Sequence, residues 1–490
     1  MRQAAYLRQR YRAILSDTGL ILVLCAGLLL APLTALIVRP DLRHQAWAFM
    51  LPALLMGALG LAAWRFFRPR DTVSLSVQEG GVIVLFSWIL VCLFSAWPFM
   101  AVTRLDFTRA FFESVSGWTT TGLSVVDVTQ AGPLILLWRS IMQLAGGAGL
   151  AIIMLSAITG PTGPALSVAE GREQLVPHVR QSAKLVVMIY SGYAVVGVLA
   201  LHLVGMNWFD AVNHAFAALS TGGFSTRVDS IAHWNSVAIE ALTIPLMILG
   251  NLSFVTAWLL LRGNLRAVRR NGEVRLMAVL IPLCAVLLFL LTVRSLYPAL
   301  GRSVRVALFE TVTALTTTGF STVGYGDWNA FGWLVLIVLM LIGGGTCSTA
   351  GGIKQYRIYL LWKSLLWQIR KALMPPAAVV ENCVWEGDRK VFVNDTRLHQ
   401  IGTFVFLYLL TFIAGSAVLT AHGFGLKESL FEFASALGTV GLSIGVTSAA
   451  APDAVLWTEI AGMFLGRLEF LVIFVSAAKA LRDIVVIVRR

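Results

Sequence analysis

Residues 112–124 read FESVSGWTTTGLS and align without gaps on residues 309–321, which read FETVTALTTTGFS. A third copy, FEFASALGTVGLS, occupies residues 431–443, and the most divergent copy, NHAFAALSTGGFS, occupies residues 213–225. The copies share a glycine near their end, with separations of 101, 96 and 122 residues, at Gly122, Gly223, Gly319 and Gly441. Because an apolar segment precedes and follows every copy, the repeating unit is predicted to be a span, a short re-entrant segment and a second span.

The composition places these copies in a membrane. Of the 490 residues, 58% are hydrophobic and only 13% are charged, whereas soluble domains contain about 25% charged residues. Apolar runs of roughly bilayer-crossing length predict ten spans: 19–38, 46–64, 81–102, 133–158, 185–205, 236–261, 276–293, 330–346, 400–421 and 455–481. The predicted fold class is an all-α polytopic membrane protein, with four pseudo-symmetric membrane-pore-membrane repeats around one pore and an N-terminal two-helix hairpin.

The net charge of +13 is better explained by topology than by a nucleic-acid partner. Alternating the loops puts 27 Lys and Arg residues on one side and ten on the other, with Arg467 inside the last span. Cytoplasmic loops collect basic residues, so both termini are predicted to be cytoplasmic. The first apolar run lacks a small-residue cleavage site and is expected to be retained. The five cysteines are scattered singly, so neither a disulfide framework nor a zinc site is expected.

The topology brings the four re-entrant segments together around one axis. Each unit crosses the membrane twice, so all four segments enter from the outside in the same orientation. Irregular backbone at membrane depth must be buried or line water, and rings of carbonyl oxygens can replace the hydration shell of a cation. The predicted filter has three residues per copy: Thr120, Thr121 and Gly122; Thr221, Gly222 and Gly223; Thr317, Thr318 and Gly319; Thr439, Val440 and Gly441. A packing of four small-residue helix ends is the alternative.

In these segments the chain resembles the TrkH/KtrB/HKT superfamily of potassium transporters, in which one subunit holds four non-identical membrane-pore-membrane units. The resemblance covers residues 81–490, and the hairpin before them resembles the TrkH branch. Two further matches are GGGTCSTAGGIK at residues 343–354, similar to the family's intramembrane loop, and GRLE at residues 466–469.

The resemblance implies potassium as the transported ion and no organic cofactor in this chain. It also implies a homodimer with one pore per subunit in the bacterial cytoplasmic membrane, and a cytosolic TrkA-like nucleotide-binding regulatory subunit. The expected domain boundaries are an N-terminal hairpin at 1–70, pore repeats at 81–158, 185–261, 276–370 and 400–490, an intramembrane loop at 343–354, and a cytoplasmic linker at 371–399.

The glycine-rich loop and Arg467 are the candidate gate. Five glycines with Ser and Thr disfavour a rigid helix, so the loop is expected to interrupt the eighth span as a movable barrier. It lacks a GxxxxGK[ST] phosphate-binding pattern; a structural kink is the alternative. The candidate gate residues are Gly343, Gly344, Gly345, Thr346, Ser348, Thr349, Gly351, Gly352, Lys354 and Arg467.

Arg467 lies near the centre of a predicted span, where an arginine costs about 2.5–3.5 kcal/mol on insertion scales. It is therefore expected to face a water-filled cavity beneath the filter as an electrostatic barrier to cations. The alternative is a structural ion pair with Glu113, Glu310 or a carboxylate of another helix. Those two glutamates belong to the predicted pore helices and are expected to be hydrogen-bonded anchors, because His214 occupies the equivalent position in the second copy.

Two overlapping motifs compete for the third filter. Residues 322–327, TVGYGD, resemble the signature of tetrameric potassium channels, whereas residues 317–319, TTG, match the other copies. The internal repeat favours Gly319, because Gly324 would break the ten-residue spacing from the start of the copy. The outer mouth is then expected to contain Tyr325 and three acids that follow their filters, Asp127, Asp229 and Asp327. These acids either concentrate cations or are ordinary solvated loop residues.

Other functions are less consistent with the sequence. Sodium or mixed alkali-cation transport is the nearest alternative, although Gly122 favours potassium because sodium-preferring relatives carry serine at the first filter glycine. A proton-coupled symporter needs intramembrane carboxylates, and Glu240, Glu459 and Glu469 form no chain. An enzyme needs clustered His, Asp or Glu to activate water or a metal, and the spans contain no such cluster. Whether flux is passive or coupled stays open.

Overall fold

The computed structural model describes residues 2–69, 75–149, 179–375, 381–386, 389–468 and 470–488. In these ranges the helices are α1 (Arg2–Leu30), α2 (Trp47–Phe67), α3 (Val77–Thr103), α4 (Phe107–Trp118), α5 (Pro133–Ala148), α6 (Val179–Leu203), α7 (Trp208–Leu219), α8 (Val237–Asn251), α9 (Phe254–Leu261), α10 (Leu265–Arg270), α11 (Gly272–Leu288), α12 (Arg294–Leu296), α13 (Leu300–Leu315), α14 (Ala330–Ile342), α15 (Gln355–Ala372), α16 (Asp395–Ala421), α17 (Leu426–Gly438), α18 (Asp453–Leu468) and α19 (Phe470–Val488). Short 3₁₀ helices occupy Ala31–Ile37, Pro40–Gln45 and Ser230–Trp234, and a π-helical turn occupies Phe289–Val293.

Six described helical segments are long and apolar enough to cross a membrane, and up to eight if two bent pairs each count as one span. The six contain α1, α2, α3, α6, α11 and α16. One predicted span, 330–346, is shorter than expected, because α14 ends at Ile342, and α5 covers the described part of another up to Ala148. Residues 150–158 of the fourth predicted span lie outside the described residues.

Two predicted spans are not continuous helices. Helices α8 and α9 replace the predicted span 236–261 and meet at an angle of 116°. Helices α18 and α19 replace the predicted span 455–481 and meet at 101°. Hydropathy reports only that side chains are apolar, so it detects neither bend.

Four short helices lie between the spans, one in each copy of the repeat, as predicted: α4, α7, α13 and α17. Local sequence defines where they begin. The Asp106 side chain accepts a hydrogen bond from Arg109 N (2.9 Å) at the start of α4, and Asn207 caps α7 through Asp210 N (2.8 Å). Such caps satisfy backbone N–H groups that have no partner within the helix. All four helices are largely buried among the spans, which places their C-terminal ends inside the protein.

The N-terminal hairpin packs closely because its two helices present glycine to each other. A Cβ atom added at Gly19 would lie 2.5 Å from the Gly60 carbonyl oxygen, so no side chain fits there. The hairpin is tied to the repeats by Arg10, which pairs with Glu79, and by the Tyr11 hydroxyl, which donates to Asp483 (3.2 Å). The first predicted span, 19–38, is only partly α-helical, because the backbone tightens to a 3₁₀ helix at Ala31–Ile37.

The segment between the third and fourth repeats contains strand structure, which corrects the all-α prediction in detail. Strands β1 (Cys383–Glu386) and β2 (Arg389–Phe392) form an antiparallel hairpin with Val384 opposite Val391. The hairpin packs on α15 and α16 through a small core of Leu360, Val384, Val393 and Ile401. The predicted cytoplasmic linker is therefore a folded element.

Candidate cation pathway

The four copies end in the same backbone conformation. A threonine in each copy has a left-handed φ: 55° at Thr120, 49° at Thr221, 53° at Thr317 and 51° at Thr439. The next residue donates its N–H to the carbonyl five positions earlier at 2.9 Å in every copy, from Thr121, Gly222, Thr318 and Val440. This is the hydrogen bond that closes a helix in a Schellman motif. A β-branched residue in this region costs about 1–3 kcal/mol, and all four copies retain that strain.

The four copies form a closed ring in chain order. A Cβ atom added at Gly122 would lie 2.1 Å from the carbonyl oxygen of Gly222, and one at Gly223 would lie 2.1 Å from that of Thr318. The same test at Gly319 gives 1.9 Å to the Val440 oxygen, and at Gly441 it gives 2.3 Å to the Thr121 oxygen. Each glycine therefore abuts the filter carbonyl of the next repeat, and the fourth repeat returns to the first.

The ring distinguishes the two candidate positions for the third filter. Gly319 has φ +83° and takes part in the ring, whereas a Cβ atom added at Gly324 would have no neighbour within 4 Å. Gly324 is exposed and lies in the loop that follows the filter. The channel-like motif TVGYGD is therefore outside the ring.

Pore-helix glutamates anchor the loop that follows the glycine in three of the four copies, as predicted for Glu113 and Glu310. The Glu113 carboxylate accepts hydrogen bonds from the Ser124 hydroxyl (3.0 Å) and Val125 N (3.0 Å). Equivalent bonds reach Glu310 from Thr322 N (2.9 Å) and reach Glu432 from the Ser443 hydroxyl (2.6 Å). In the second copy His214 takes this place and contacts the Ser225 hydroxyl at 2.9 Å.

Arg139 contributes more than the sequence indicated. Its position near the start of the predicted span 133–158 indicates nothing more than a charge at the end of that span, but Arg139 is 2% exposed. Its Nε donates to Glu113 at 2.7 Å, and its Nη1 donates to the Ser225 carbonyl at 3.0 Å. The guanidinium also lies 3.9 Å from the centre of the Phe224 ring. One cation thus joins repeats 1 and 2, through a pairing that sequence spacing does not reveal.

The glycine-rich loop packs directly against the inner ends of the filters. Gly351 N donates to the Thr317 hydroxyl at 2.8 Å, and the Thr349 hydroxyl lies 3.1 Å from that of Thr221. A Cβ atom at Gly351 would lie 2.0 Å from the Thr439 hydroxyl oxygen. The loop therefore contacts the left-handed threonines of three repeats.

The loop is compact because it folds back on itself. Gly344 N donates to the Gly351 carbonyl at 3.1 Å, and the Ser348 hydroxyl donates to the Gly345 carbonyl at 2.6 Å. Lys354 donates to the Ala350 carbonyl. A Cβ atom at Gly343 would lie 2.2 Å from the Gly351 oxygen, and one at Gly352 would lie 2.6 Å from the Gly343 Cα.

The break between α8 and α9 pairs with the same loop, which explains why the predicted span is interrupted. Gly345 N donates to the Asn251 carbonyl (3.2 Å), and Phe254 N donates to the Cys347 carbonyl (3.2 Å). On the other side of the loop, Thr346 N donates to the Glu273 carboxylate at 2.6 Å. Backbone groups that a helix would satisfy internally are satisfied here by the loop.

Arg467 lies at the end of α18 and links this loop to the first repeat. Its guanidinium donates to the carbonyl oxygens of Thr349 (2.5 Å), Gly146 (2.7 Å) and Gly147 (3.1 Å). The specific ion pairs considered from the sequence are wrong: Glu113 pairs with Arg139, and Glu310 accepts hydrogen bonds from the loop after its own filter. Arg467 thus lies beside the candidate gate, with three carbonyls around its charge.

On the side predicted to face outward, a cavity of about 420 Å³ opens beside the third and fourth candidate filter segments. Its lining includes Gly319, Gly441 and Asp229, but also Arg302, a cation that the sequence had not placed there. Tyr325 contributes to the lining, in line with its predicted place in the mouth, although its side chain is buried and its hydroxyl donates to the Glu310 carboxylate.

All three predicted mouth acids, Asp127, Asp229 and Asp327, are exposed. The Thr129 hydroxyl (2.6 Å) and N–H (2.9 Å) donate to Asp127 and lower the pKa of its carboxyl group. Asp127 is therefore charged at neutral pH in the loop after the first filter.

Four re-entrant helices that meet inside a polytopic helical bundle define a membrane transport protein with a four-repeat pore. The model of the TrkH family of cation transport proteins matches residues 48–483, and the chain belongs to this family.

Similarity to individual relatives extends over nearly the whole chain. It is 30% identical to the Trk system potassium uptake protein TrkH of Halomonas elongata, with 95% of this chain and 98% of that protein covered. It is 28% identical to an uncharacterized cation transporter of Methanocaldococcus jannaschii, with 88% of each chain covered. The crystal structure of the potassium transporter TrkH from Vibrio parahaemolyticus matches with a TM-score of 0.82 at 26% identity, covering 96% and 98% of the two chains.

Proposed function

We propose that this protein takes up potassium across the bacterial cytoplasmic membrane through one pore per subunit, with the four filter segments selecting the ion. The observation that carries the proposal is the closed ring, in which each filter glycine abuts a carbonyl of the next repeat. Carbonyl rings of this kind can replace the hydration shell of a dehydrated cation. Relatives named as potassium uptake proteins support potassium over sodium as the transported ion.

The flux experiment uses purified protein in liposomes. Rubidium and sodium fluxes are measured with and without a proton gradient, and selective rubidium flux is expected. Acceleration by an inward proton gradient would favour the symporter alternative. Equal sodium and rubidium flux would contradict potassium selectivity and favour a mixed alkali-cation transporter.

The variant Gly122→Ser tests the filter assignment. A Cβ atom at Gly122 would lie 2.1 Å from the Gly222 oxygen, so the carbonyl must shift and discrimination against sodium should fall. Gly423→Ser is a matched control, since Gly423 has nearly the same φ (+95° against +92°) but open space around its Cβ position. A fall in discrimination in both variants, or in neither, would contradict the assignment.

The loop at 343–354 is proposed to be the gate, and Arg467 its electrostatic partner. The loop occupies the inner ends of three filters, where an ion leaving the ring would have to pass. Shortening Gly343–Gly352 should raise rubidium flux and leave rubidium/sodium selectivity intact. Unchanged flux, or a loss of selectivity instead, would assign the loop a structural role.

The proposed assembly is a homodimer with a cytosolic nucleotide-binding, TrkA-like regulatory subunit, and with both termini in the cytoplasm. The strongly basic character of the predicted cytoplasmic loops supports this orientation. Mass measurement of the detergent-solubilised protein tests the dimer. Flux with and without the candidate subunit and its nucleotide tests the regulation.

A further inference from the structure

The second filter lacks a hydrogen bond between two threonine hydroxyl groups that is present in the first and third filters. In repeat 1 the hydroxyl groups of Thr119 and Thr121 lie 2.8 Å apart, and in repeat 3 those of Thr316 and Thr318 lie 2.8 Å apart. Each pair fixes a filter side chain to the end of its pore helix. The equivalent filter residue in repeat 2 is Gly222, which has no hydroxyl group.

The second filter also lacks a hydrogen bond from the filter glycine to a serine hydroxyl group of its pore helix. In repeat 1 the Ser116 hydroxyl accepts a hydrogen bond from Gly122 N (3.1 Å), and in repeat 4 the Ser435 hydroxyl accepts one from Gly441 N (3.0 Å). The equivalent pore-helix residue in repeat 2 is Ala217. The pore helix of repeat 2 therefore offers its own filter neither of these side-chain anchors.

Gln143 of α5 reaches this filter from the preceding repeat. It is fully buried; its Nε2 donates to the Gly222 carbonyl at 2.5 Å, and its Oε1 accepts from Phe224 N at 3.1 Å. The two hydrogen bonds lie on either side of Gly223. One amide side chain thus fixes both peptide groups that flank the filter glycine.

Gln143 also occupies the space of the missing side chain. A Cβ atom at Gly222 would lie 2.4 Å from the Gln143 Cδ, so the glutamine and a side chain at residue 222 exclude each other. The carbonyl oxygen that Gln143 engages is the one that Gly122 of the first repeat abuts. The amide therefore acts at the seam between filters 1 and 2.

We propose that Gln143 is a positioning residue that determines ion specificity at the second filter; this inference rests on the proposed filter function. Its N–H holds the Gly222 oxygen in place and engages part of that oxygen's hydrogen-bonding capacity. Selectivity in carbonyl filters depends on cavity size and on the number and field strength of the oxygens. A fixed and partly engaged oxygen disfavours the smaller, more strongly hydrated sodium ion.

The test compares Gln143→Met, which keeps the length but neither donates nor accepts as an amide, with Gln143→Asn, which keeps the amide but is one methylene group shorter and cannot keep both hydrogen bonds at their present distances. Ser140→Ala is the matched control. Ser140 lies one turn away on the same helix. Its hydroxyl donates to the Asn213 side chain of α7 at 2.6 Å and does not contact the filter. Rubidium and sodium fluxes in liposomes are measured with the thermal stability of each variant. The rubidium concentration that half-maximally stabilises the detergent-solubilised protein is measured as well.

Both Gln143 variants should lower the rubidium/sodium flux ratio by about three- to tenfold, the factor expected for one lost buried hydrogen bond. They should also weaken stabilisation by rubidium, whereas Ser140→Ala should change neither. If Gln143→Met does not fold, Gln143→Asn alone decides. Unchanged ratios in the Gln143 variants, or an equal fall in Ser140→Ala, would overturn the assignment. A wild-type protein without rubidium flux would overturn the proposed function and this inference together, whereas a selective wild type with equally selective variants overturns only the role of Gln143.

Discussion

The ring formed by the four repeat glycines, proposed to be the filter, and the loop at 343–354, proposed to be the gate, lie against each other but are constructed differently. The ring contains four copies of one backbone conformation. Each copy has a left-handed threonine with φ of 49–55° and a 2.9 Å backbone hydrogen bond. The loop occurs once, in the third repeat, and is held by single contacts from different repeats. These include Thr317, Asn251, Glu273 and Arg467.

This difference matches the two roles that we propose for the ring and the loop. A selective ring must hold oxygens at fixed positions, and repetition with mutual contact achieves that. A barrier must be able to move. The contacts that hold the loop are not repeated in the other repeats, so breaking a few of them releases it. We therefore expect substitutions in the ring to change ion selectivity and substitutions at the loop to change flux.

The largest effect is expected for Gly319→Ser. The new Cβ would lie 1.9 Å from the Val440 oxygen at φ +83°, so overpacking and left-handed strain together cost about 2–6 kcal/mol. Rubidium/sodium discrimination should be lost. Gly324→Ser, five residues further on and open to solvent, should retain wild-type selectivity. The reverse result would place the third filter in the channel-like motif.

The second largest effect concerns the cation behind the ring. Arg139→Met leaves Glu113 buried without its partner and should destabilise the protein by about 3–5 kcal/mol. Thermal unfolding in detergent measures this change. Arg39→Met is the control, because Arg39 and Asp41 form an exposed pair at 3.0 Å and its loss should leave the unfolding midpoint unchanged. Equal stabilities of the two variants would show that the buried pair contributes little.

A smaller effect is expected at the boundary between ring and loop. Two unit charges about 7 Å apart interact by about 2 kcal/mol at an effective dielectric constant near 20, so Arg467→Ala should raise rubidium flux severalfold without changing selectivity. Arg467→Lys separates charge from geometry, since lysine keeps the charge but cannot donate as a planar fork. Flux in the lysine variant near the wild-type value would identify charge as the barrier. Lower stability of the alanine variant without a gain in flux would contradict the barrier.

The smallest effect is expected for Thr349→Val. The Thr349 hydroxyl donates toward the Leu219 (3.0 Å) and Gly250 (2.9 Å) carbonyls, and valine removes that contact at constant shape. Flux should rise by about two- to tenfold, the equivalent of one hydrogen bond. Thr18→Val is the control, because the buried Thr18 hydroxyl has no hydrogen-bond partner among the described residues. A change in selectivity rather than flux would mean that the loop supports the ring.

The sequence predicted features that depend on repetition. The alignment of the four copies identified the re-entrant helices and placed the third filter glycine at Gly319 rather than Gly324. It also predicted Glu113 and Glu310 as hydrogen-bonded anchors, because His214 occupies the equivalent position in the second copy; Glu432 in the fourth copy has the same role in the structure.

Features that depend on contacts between repeats could not be predicted in this way. Arg139 lies 26 residues from Glu113, and Gln143 lies 79 residues from Gly222, with no periodic signal to connect either pair. The bend after Asn251 was not predicted from the sequence, because it depends on hydrogen bonds with Gly345 and Cys347, which belong to another repeat. Arg467 was recognised by its cost in a membrane, but its carbonyl partners belong to two other segments.

The closure of the ring by Gly441 against Thr121 has a consequence for biosynthesis. These residues are 320 positions apart in the sequence, so during synthesis three filters enter the membrane before the fourth can complete the circle. Until then, Thr121 and Gly319 border an open seam whose carbonyls have no neighbouring repeat. Arg467, which joins the loop to the first repeat, emerges later still. A chain that stops before residue 431 therefore keeps a polar backbone group of Thr121 without the glycine that packs against it in the complete ring.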